Sequence, residues 1–204
     1  MIRETLAARL GDEDSFNIVG SASTAEEAID KSMNLKPDII VMDIDMPGMI
    51  CFDAARTIVS ANPDTHIIFL SAFFHDHYIE QALNVHARGY ITKKEPTQTI
   101  IEALRTVAGG GTFFSDDVRA RLVVYTDGVR LSRKGHTRAA MLTGRELEVL
   151  RYIARGMPKK QIAETMFLSV KTVENYCAKL MDKLDIHDRV ELTRYAIREG
   201  LADA

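Results

Sequence analysis

The pattern of apolar and polar positions changes period about halfway along the chain. In residues 1–108, helical spacings alternate with straight apolar runs. MIRETLAARL (1–10) and TAEEAIDKSMNL (24–35) repeat apolar residues at helical intervals, and Thr24 with Glu27 makes a capping-box pattern. FNIVGSAS, between them, reads as a short strand. PDIIVMDI and HIIFLSA are continuous apolar runs, as expected of strands covered on both faces, and RGYIT reads as a further strand. Residues 52–61, 75–84 and 96–108 read as helices. Alternating strand and helix predicts an α/β domain with an open, doubly wound parallel sheet. In such sheets chemistry gathers at the carboxyl ends of the strands.

GGG at 109–111 stops the preceding helix. Residues 109–140 mix turn residues with charge, as in TDG and LSRKGHTR, and read as a linker with room for a short helix over SDDVRARLVV. From Met141 the pattern is helical, with breaks at RGMP (155–158), FLS (167–169) and DIHD (185–188), which predicts four short helices. The expected division is 1–108, a linker over 109–140, and an all-α domain over 141–204.

Charge sharpens this division. The net charge is −3, but residues 1–108 carry 9 Lys/Arg against 16 Asp/Glu, residues 109–140 carry 6 against 3, and residues 141–204 carry 11 against 10. An acidic front joined to a mildly basic back suggests different partners for the two ends. The overall charge excludes a general polyanion binder, yet basic residues gathered on one face would still suit DNA. No apolar run has the roughly 18 residues needed to span a bilayer, and Cys51 and Cys177 fit neither a disulfide frame nor a zinc spacing. A cytoplasmic protein is expected.

Three strand candidates end in a polar group: Asp43, Ser71 and Lys93. In a parallel sheet all three ends lie on one edge, so a carboxylate, a hydroxyl and an ammonium meet there. Such a set suits phosphoryl transfer to a carboxylate. Asp43 would be the nucleophile, Ser71 a hydrogen-bond donor to the acyl phosphate, and Lys93 the neutralising charge. A plain Lys93–Asp43 salt bridge is the competing reading, and Lys94 reads as solvated.

PDIIVMDIDMPGM, IIFLSAF and ARGYITK resemble the receiver domain of bacterial response regulators. The separations from Asp43 to Ser71 (28 residues) and from Asp43 to Lys93 (50 residues) resemble the NarL/FixJ group. The resemblance implies a flavodoxin-like receiver with Asp43 as phosphoacceptor and Asp45 offering its backbone carbonyl to Mg²⁺. It also implies Ser71 as switch hydroxyl, Tyr90 as switch aromatic and Lys93 as the paired lysine. For Tyr90 a half-buried ring at a sheet edge competes with the switch role.

One departure bears on the chemistry. Receivers of this type start with a strand ending in paired acidic residues that bind Mg²⁺, whereas MIRETLAARL aligns with the helix after it. A receiver missing its first strand is therefore expected. Asp12, Glu13 and Asp14 follow the helix and read as a solvated loop. Asp43, the Asp45 carbonyl and water supply octahedral Mg²⁺ with too little negative charge, so weak Mg²⁺ binding and poor phosphorylation are expected. In the family's strand order 2-1-3-4-5 the absent strand leaves a gap. FNIVGSAS would slide across it, a partner chain would fill it, or the start would lie upstream. Ile50-Cys51 also stands where the family has Asp-Gly.

In the back half, Leu147, Leu150, Ile153 and Ala154 give one helix a buried face, and Ile162, Ala163 and Met166 give the next another. FLS leads to Ser169, an N-cap, and then VKTVENYCAKLMDKL. Two helices with a tight turn and a Lys-Thr pair in the second one's first turn suit the major groove of DNA. A helical bundle docking on another protein has the same pattern. LTGRELEVL, IAE, LSVKTVENY and KLDIHDR resemble the LuxR-type DNA-binding domain, which favours the helix-turn-helix. By that resemblance Lys159, Lys160, Ser169, Lys171 and Thr172 meet phosphates. Glu174, Asn175 and Ala178 face the groove with Lys179 alongside. Asn175 would read adenine and Glu174 would accept from cytosine. Relatives often carry a basic residue at the position of Glu174, so weaker non-specific binding is expected. Val173 and Tyr176 read as core. ELTRYAIREGL resembles the family's dimerisation helix, with a helix that merely caps the monomer as the alternative.

The whole reads as a DNA-binding transcriptional response regulator with an atypical receiver, working as a homodimer. A sensor histidine kinase is the implied phosphoryl donor. A conventional phosphorylation switch with an upstream start, and an interaction protein that no longer binds DNA, are the alternatives. No set of residues for turning over a substrate is legible.

Overall fold

A computed structural model describes residues 2–11, 13, 15–46, 51–72, 75–125, 128–131, 138–199 and 201. The chain divides into two compact units, Met1–Ala72 with Gln81–Ala120, and Phe73–Glu80 with Arg121–Ala204. Pro47, Gly48, Ile50, Asp12 and Asp14 lie outside the described residues.

The first unit is built on a four-stranded parallel sheet in the order β1 (Ile39–Asp43), β2 (His66–Ser71), β3 (Gly89–Thr92), β4 (Phe113–Phe114). Register partners such as Phe69 and Tyr90, or Leu70 and Ile91, lie side by side on one face. On one face Ile68, Leu70 and Ile91 pack with Ile100, Ala103, Leu104 and Val107 of α5 (Thr97–Ala108), and Leu6 and Leu10 of α1 (Ile2–Gly11) cover the same cluster. On the other, Phe69 meets Phe52 of α3 (Cys51–Ala61) with ring centroids 4.8 Å apart, and α3 packs on α2 (Ala25–Leu35). Both faces are thus covered, as the continuous apolar runs require. Thr24 caps α2, accepting from the Glu27 N–H at 3.2 Å. The reciprocal arm reaches one residue further back, where Glu27 accepts from the Ser23 N–H at 2.6 Å. α4 (Asp76–Asn84) runs from one unit into the other.

One sequence expectation fails here and another is met only in part. FNIVGSAS forms no strand: residues 16–22 join no ladder, and Ile18 and Val19 are 42% and 46% exposed. Strand composition is not sufficient without a partner, and among the described residues no strand lies beyond β1 or precedes it. β1 is consequently an edge strand, and only Met42 of its residues is fully buried. The stretch read as a linker holds the short helix allowed for SDDVRARLVV, and strands besides. β4 extends the sheet beside β3, α6 (Asp116–Arg119) follows, and β5 (Leu122–Tyr125) pairs antiparallel with β6 (Gly128–Leu131).

In the second unit a 3₁₀ turn (Arg138–Met141) precedes α7 (Gly144–Ala154), α8 (Lys159–Thr165), α9 (Val170–Leu184) and α10 (Arg189–Arg198). α7 packs against α9 and α10, and α8 against α9. Leu147, Val149, Leu150, Ile153, Ile162, Ala163, Met166, Val173, Leu180 and Leu192 form the core. Gly156, at φ +77°, takes the left-handed position that ends α7: its N–H bonds the Ile153 carbonyl and the Met157 N–H bonds that of Tyr152. α7 starts with a reciprocal cap between Thr143 and Glu146. Burial by itself would raise the Glu146 carboxyl, but the bond from Lys183 at 2.7 Å and those of Thr143 outweigh it and hold it below the usual range.

Candidate functional site

The carboxyl edge of the sheet brings together two of the three expected groups directly. Lys93 lies immediately after β3, where its N–H donates to the Ser71 carbonyl at 2.7 Å. From there its ammonium reaches 2.7 Å from the Asp43 carboxylate and 3.2 Å from that of Asp45. The Asp45 N–H donates to Asp43 Oδ1 at 2.8 Å, closing a small ring of charge. The Asp43 side chain is 38% exposed, Lys93 16% and Asp45 10%, so the Asp43 carboxylate is partly open to solvent while its two companions are largely covered. Lys94 is exposed, as expected.

Ser71 ends β2 and is fully buried, in register with Thr92. Tyr90 differs from the sheet-edge alternative. It is fully buried within β3, and the unforeseen β4 pairs along the outside of that strand. Asp45 was expected to act through its carbonyl, but its carboxylate also belongs to the ring around Lys93. A turn residue pointing back under the strand end leaves no periodic signal that would have revealed this. Among the described residues no three His, Cys, Asp or Glu side chains converge to hold a metal ion.

The second charged surface is the start of α9. Ser169 accepts from the Thr172 N–H at 3.0 Å and caps the helix. Val173, Cys177, Leu180 and Leu184 bury one side of it, while Lys171, Asn175, Ala178 and Lys179 are exposed on the other. Val173 is buried as expected, but Tyr176, also read as core, is only half-buried. Glu174, also half-buried, lies 3.7 Å from both Lys159 and Lys171. Lys160 is exposed beside Lys159 at the start of α8. The connection between α8 and α9 passes through Phe167 at φ +54°, a left-handed residue whose ring is 80% exposed. Sequence reasoning missed Arg189, whose guanidinium donates to the Met157 carbonyl and braces the turn ahead of Lys159.

A family model for the response regulator receiver domain matches residues 1–105, and one for bacterial regulatory proteins of the luxR family matches residues 140–196. The chain is a LuxR-family response regulator. It is 35% identical to the oxygen regulatory protein NreC of Staphylococcus carnosus over 207 aligned residues, covering 100% of the regulator and 95% of NreC. To the transcriptional regulatory protein YxjL of Bacillus subtilis it is 30% identical, covering 98% and 92%. Among solved structures, RcsB of Salmonella enterica serovar Typhimurium, bound to a promoter in the presence of phosphomimetic BeF3⁻, matches with TM-score 0.65 at 21% identity, covering 95% of the regulator and 92% of RcsB. That likeness carries the fold: a helix-covered parallel sheet followed by a helix-turn-helix domain. No described helix of the regulator is long and apolar enough to cross a membrane.

Proposed function

We propose that the regulator controls transcription in the cytoplasm by binding DNA as a homodimer on paired half-sites. The observation that carries this reading is the two-sided α9, with one face locked into the core and the other presenting Lys171, Asn175, Ala178 and Lys179 beside the capped helix start. Lys159, Lys160, Ser169, Lys171 and Thr172 grip phosphates, Asn175 reads adenine, and Glu174 accepts from cytosine N4. RcsB, which shares the fold, is bound to promoter DNA. α10 is the pairing helix, with Val190 left 63% exposed for it. Duplexes selected from a random pool test this. Asn175→Ala is expected to weaken the selected duplex by about 1–3 kcal/mol and to leave random DNA nearly unchanged. Equal loss on both duplexes would remove Asn175 from base reading.

For the first unit, Asp43 is the acceptor. A carboxylate oxygen attacks the phosphorus of a phosphohistidine on a sensor histidine kinase, forming the acyl phosphate as the P–N bond breaks and the imidazole nitrogen departs. Lys93 offsets the charge that gathers on the phosphoryl oxygens. The carboxylates of Asp43 and Asp45 do not fit octahedral Mg²⁺ well, because a single ammonium already engages both. Phosphorylation of Asp43 is therefore slow. The conventional switch is the second reading, favoured by relatives that match along the whole chain. Acetyl phosphate with millimolar Mg²⁺, followed by intact mass, separates the two. Little modification over an hour supports the slow receiver, and stoichiometric modification of Asp43 within minutes supports the switch.

A further inference from the structure

The surface that meets DNA contains its own counter-ion. Lys159 opens α8 and Lys171 lies in the first turn of α9, and the Glu174 carboxylate bridges them. Its Oε1 is 3.7 Å from Lys159 Nζ and its Oε2 is 3.7 Å from Lys171 Nζ. Each oxygen faces an ammonium from a different helix. Exposure of these side chains is 46% for Lys159, 80% for Lys171 and 42% for Glu174, and ion pairs so open to water contribute little to stability. What holds α8 on α9 is the buried apolar seam of Ile162, Ala163 and Val173. The bridge therefore has little structural work, yet it lowers the positive charge where a phosphate has to be gripped. Two oxygens held between two ammonium groups is also the arrangement in which a DNA phosphate presents its two free oxygens to a pair of lysines.

We propose that Glu174 occupies the seat of a backbone phosphate and sets the specificity of the DNA-binding unit by competing for Lys159 and Lys171. Random-sequence DNA has to displace the carboxylate and returns nothing to it. A true site displaces it too but offers an amino donor at a base edge, so the carboxylate regains a partner. Arg189 acts as a positioning residue, since its bond to the Met157 carbonyl fixes the turn that places Lys159 within reach.

The inference rests on the DNA-binding reading, and the test separates the two. Glu174→Gln keeps the shape of the side chain and removes its charge. Fluorescence anisotropy on the full chain, with a random duplex and a selected duplex at fixed salt, compares it with wild type. The variant is expected to bind random DNA about tenfold tighter and the selected duplex less than about threefold tighter, so the ratio between them falls. Its melting temperature should stay that of wild type. Lys171→Ala should weaken random-DNA binding more in the Glu174→Gln background than in wild type. Equal affinities of variant and wild type for random DNA, or equal tightening on both duplexes, would overturn the proposal alone. Failure of both proteins to bind any duplex at low salt would overturn the DNA reading and the proposal with it.

Discussion

Lys93→Met is expected to destabilise the first unit and, at the same time, to make it responsive to divalent cations. The ammonium lies 2.7 Å from Asp43 and 3.2 Å from Asp45, and the Asp45 side chain is only 10% exposed. Methionine keeps the apolar stem but leaves two carboxylates facing each other with no cation between them. Removing one partner of a fully buried pair costs about 3–5 kcal/mol; with Asp43 open to water the expected loss is about 2 kcal/mol. The same vacancy suits a divalent ion, so Mg²⁺ at about ten times its Kd should return about 1.4 kcal/mol to the variant, while wild type, with Lys93 in place, gains little. Urea unfolding of both proteins with and without Mg²⁺ measures this. A wild-type chain that Mg²⁺ stabilises as much as the variant would show that Lys93 does not compete for the acidic pair.

Acidification is expected to weaken the second unit between about pH 6.5 and pH 4. Burial, then the neighbouring His77 and Arg121, lower the pKa of His75 to about 4. Burial lowers His77 as well, against a raising influence from Glu80. Asp76 and Arg121 form an ion pair at 2.7 Å beside them, and Arg151 lies over the Tyr78 ring at 5.8 Å. The folded unit keeps His75 neutral, whereas the unfolded chain takes up a proton near pH 6.5. The stabilisation is thus complete above pH 6.5, and falls as pH drops towards 4. The total loss is about 3 kcal/mol, at ~1.4 kcal/mol per pH unit, with His77 adding in the same direction. His75→Asn keeps an acceptor for the His77 N–H, which His75 Nδ1 receives at 3.2 Å, and removes the titration. Urea midpoints of wild type and variant from pH 7 to pH 5 should therefore diverge, with wild type falling faster. Parallel curves would contradict the buried neutral imidazole.

The acceptor edge was legible in the sequence because parallel strands put their carboxyl ends together, so Asp43 and Lys93, 50 residues apart, needed only correct strand assignments to meet. The four helices of the second unit were legible for a similar reason: the N-cap at Ser169 and the breaks at 155–158, 167–169 and 185–188 are local signals. The failures are of things that depend on partners. FNIVGSAS has the residues of a strand, but pairing is a property of two segments, and Ile18 and Val19 stay exposed without a second one. The strand Phe113–Phe114, which pairs beside Tyr90, has two residues and is too short to show any alternation. The β5–β6 hairpin leaves a trace in the composition, TDG between two β-rich runs, but the turn residues and charge around it equally suit a linker. The bridge from Glu174 to Lys159 joins residues on two helices, and only their crossing sets that distance.

The most direct measurement of DNA binding is an anisotropy titration of the full chain on a random duplex from 50 to 200 mM salt. A phosphate grip built from Lys159, Lys160 and Lys171 should give a logarithm of affinity that falls linearly with the logarithm of salt, with a slope of about −0.9 for each phosphate neutralised. No association at 50 mM salt, or an affinity indifferent to salt, would contradict it and turn the helix-turn-helix surface into a site for another protein.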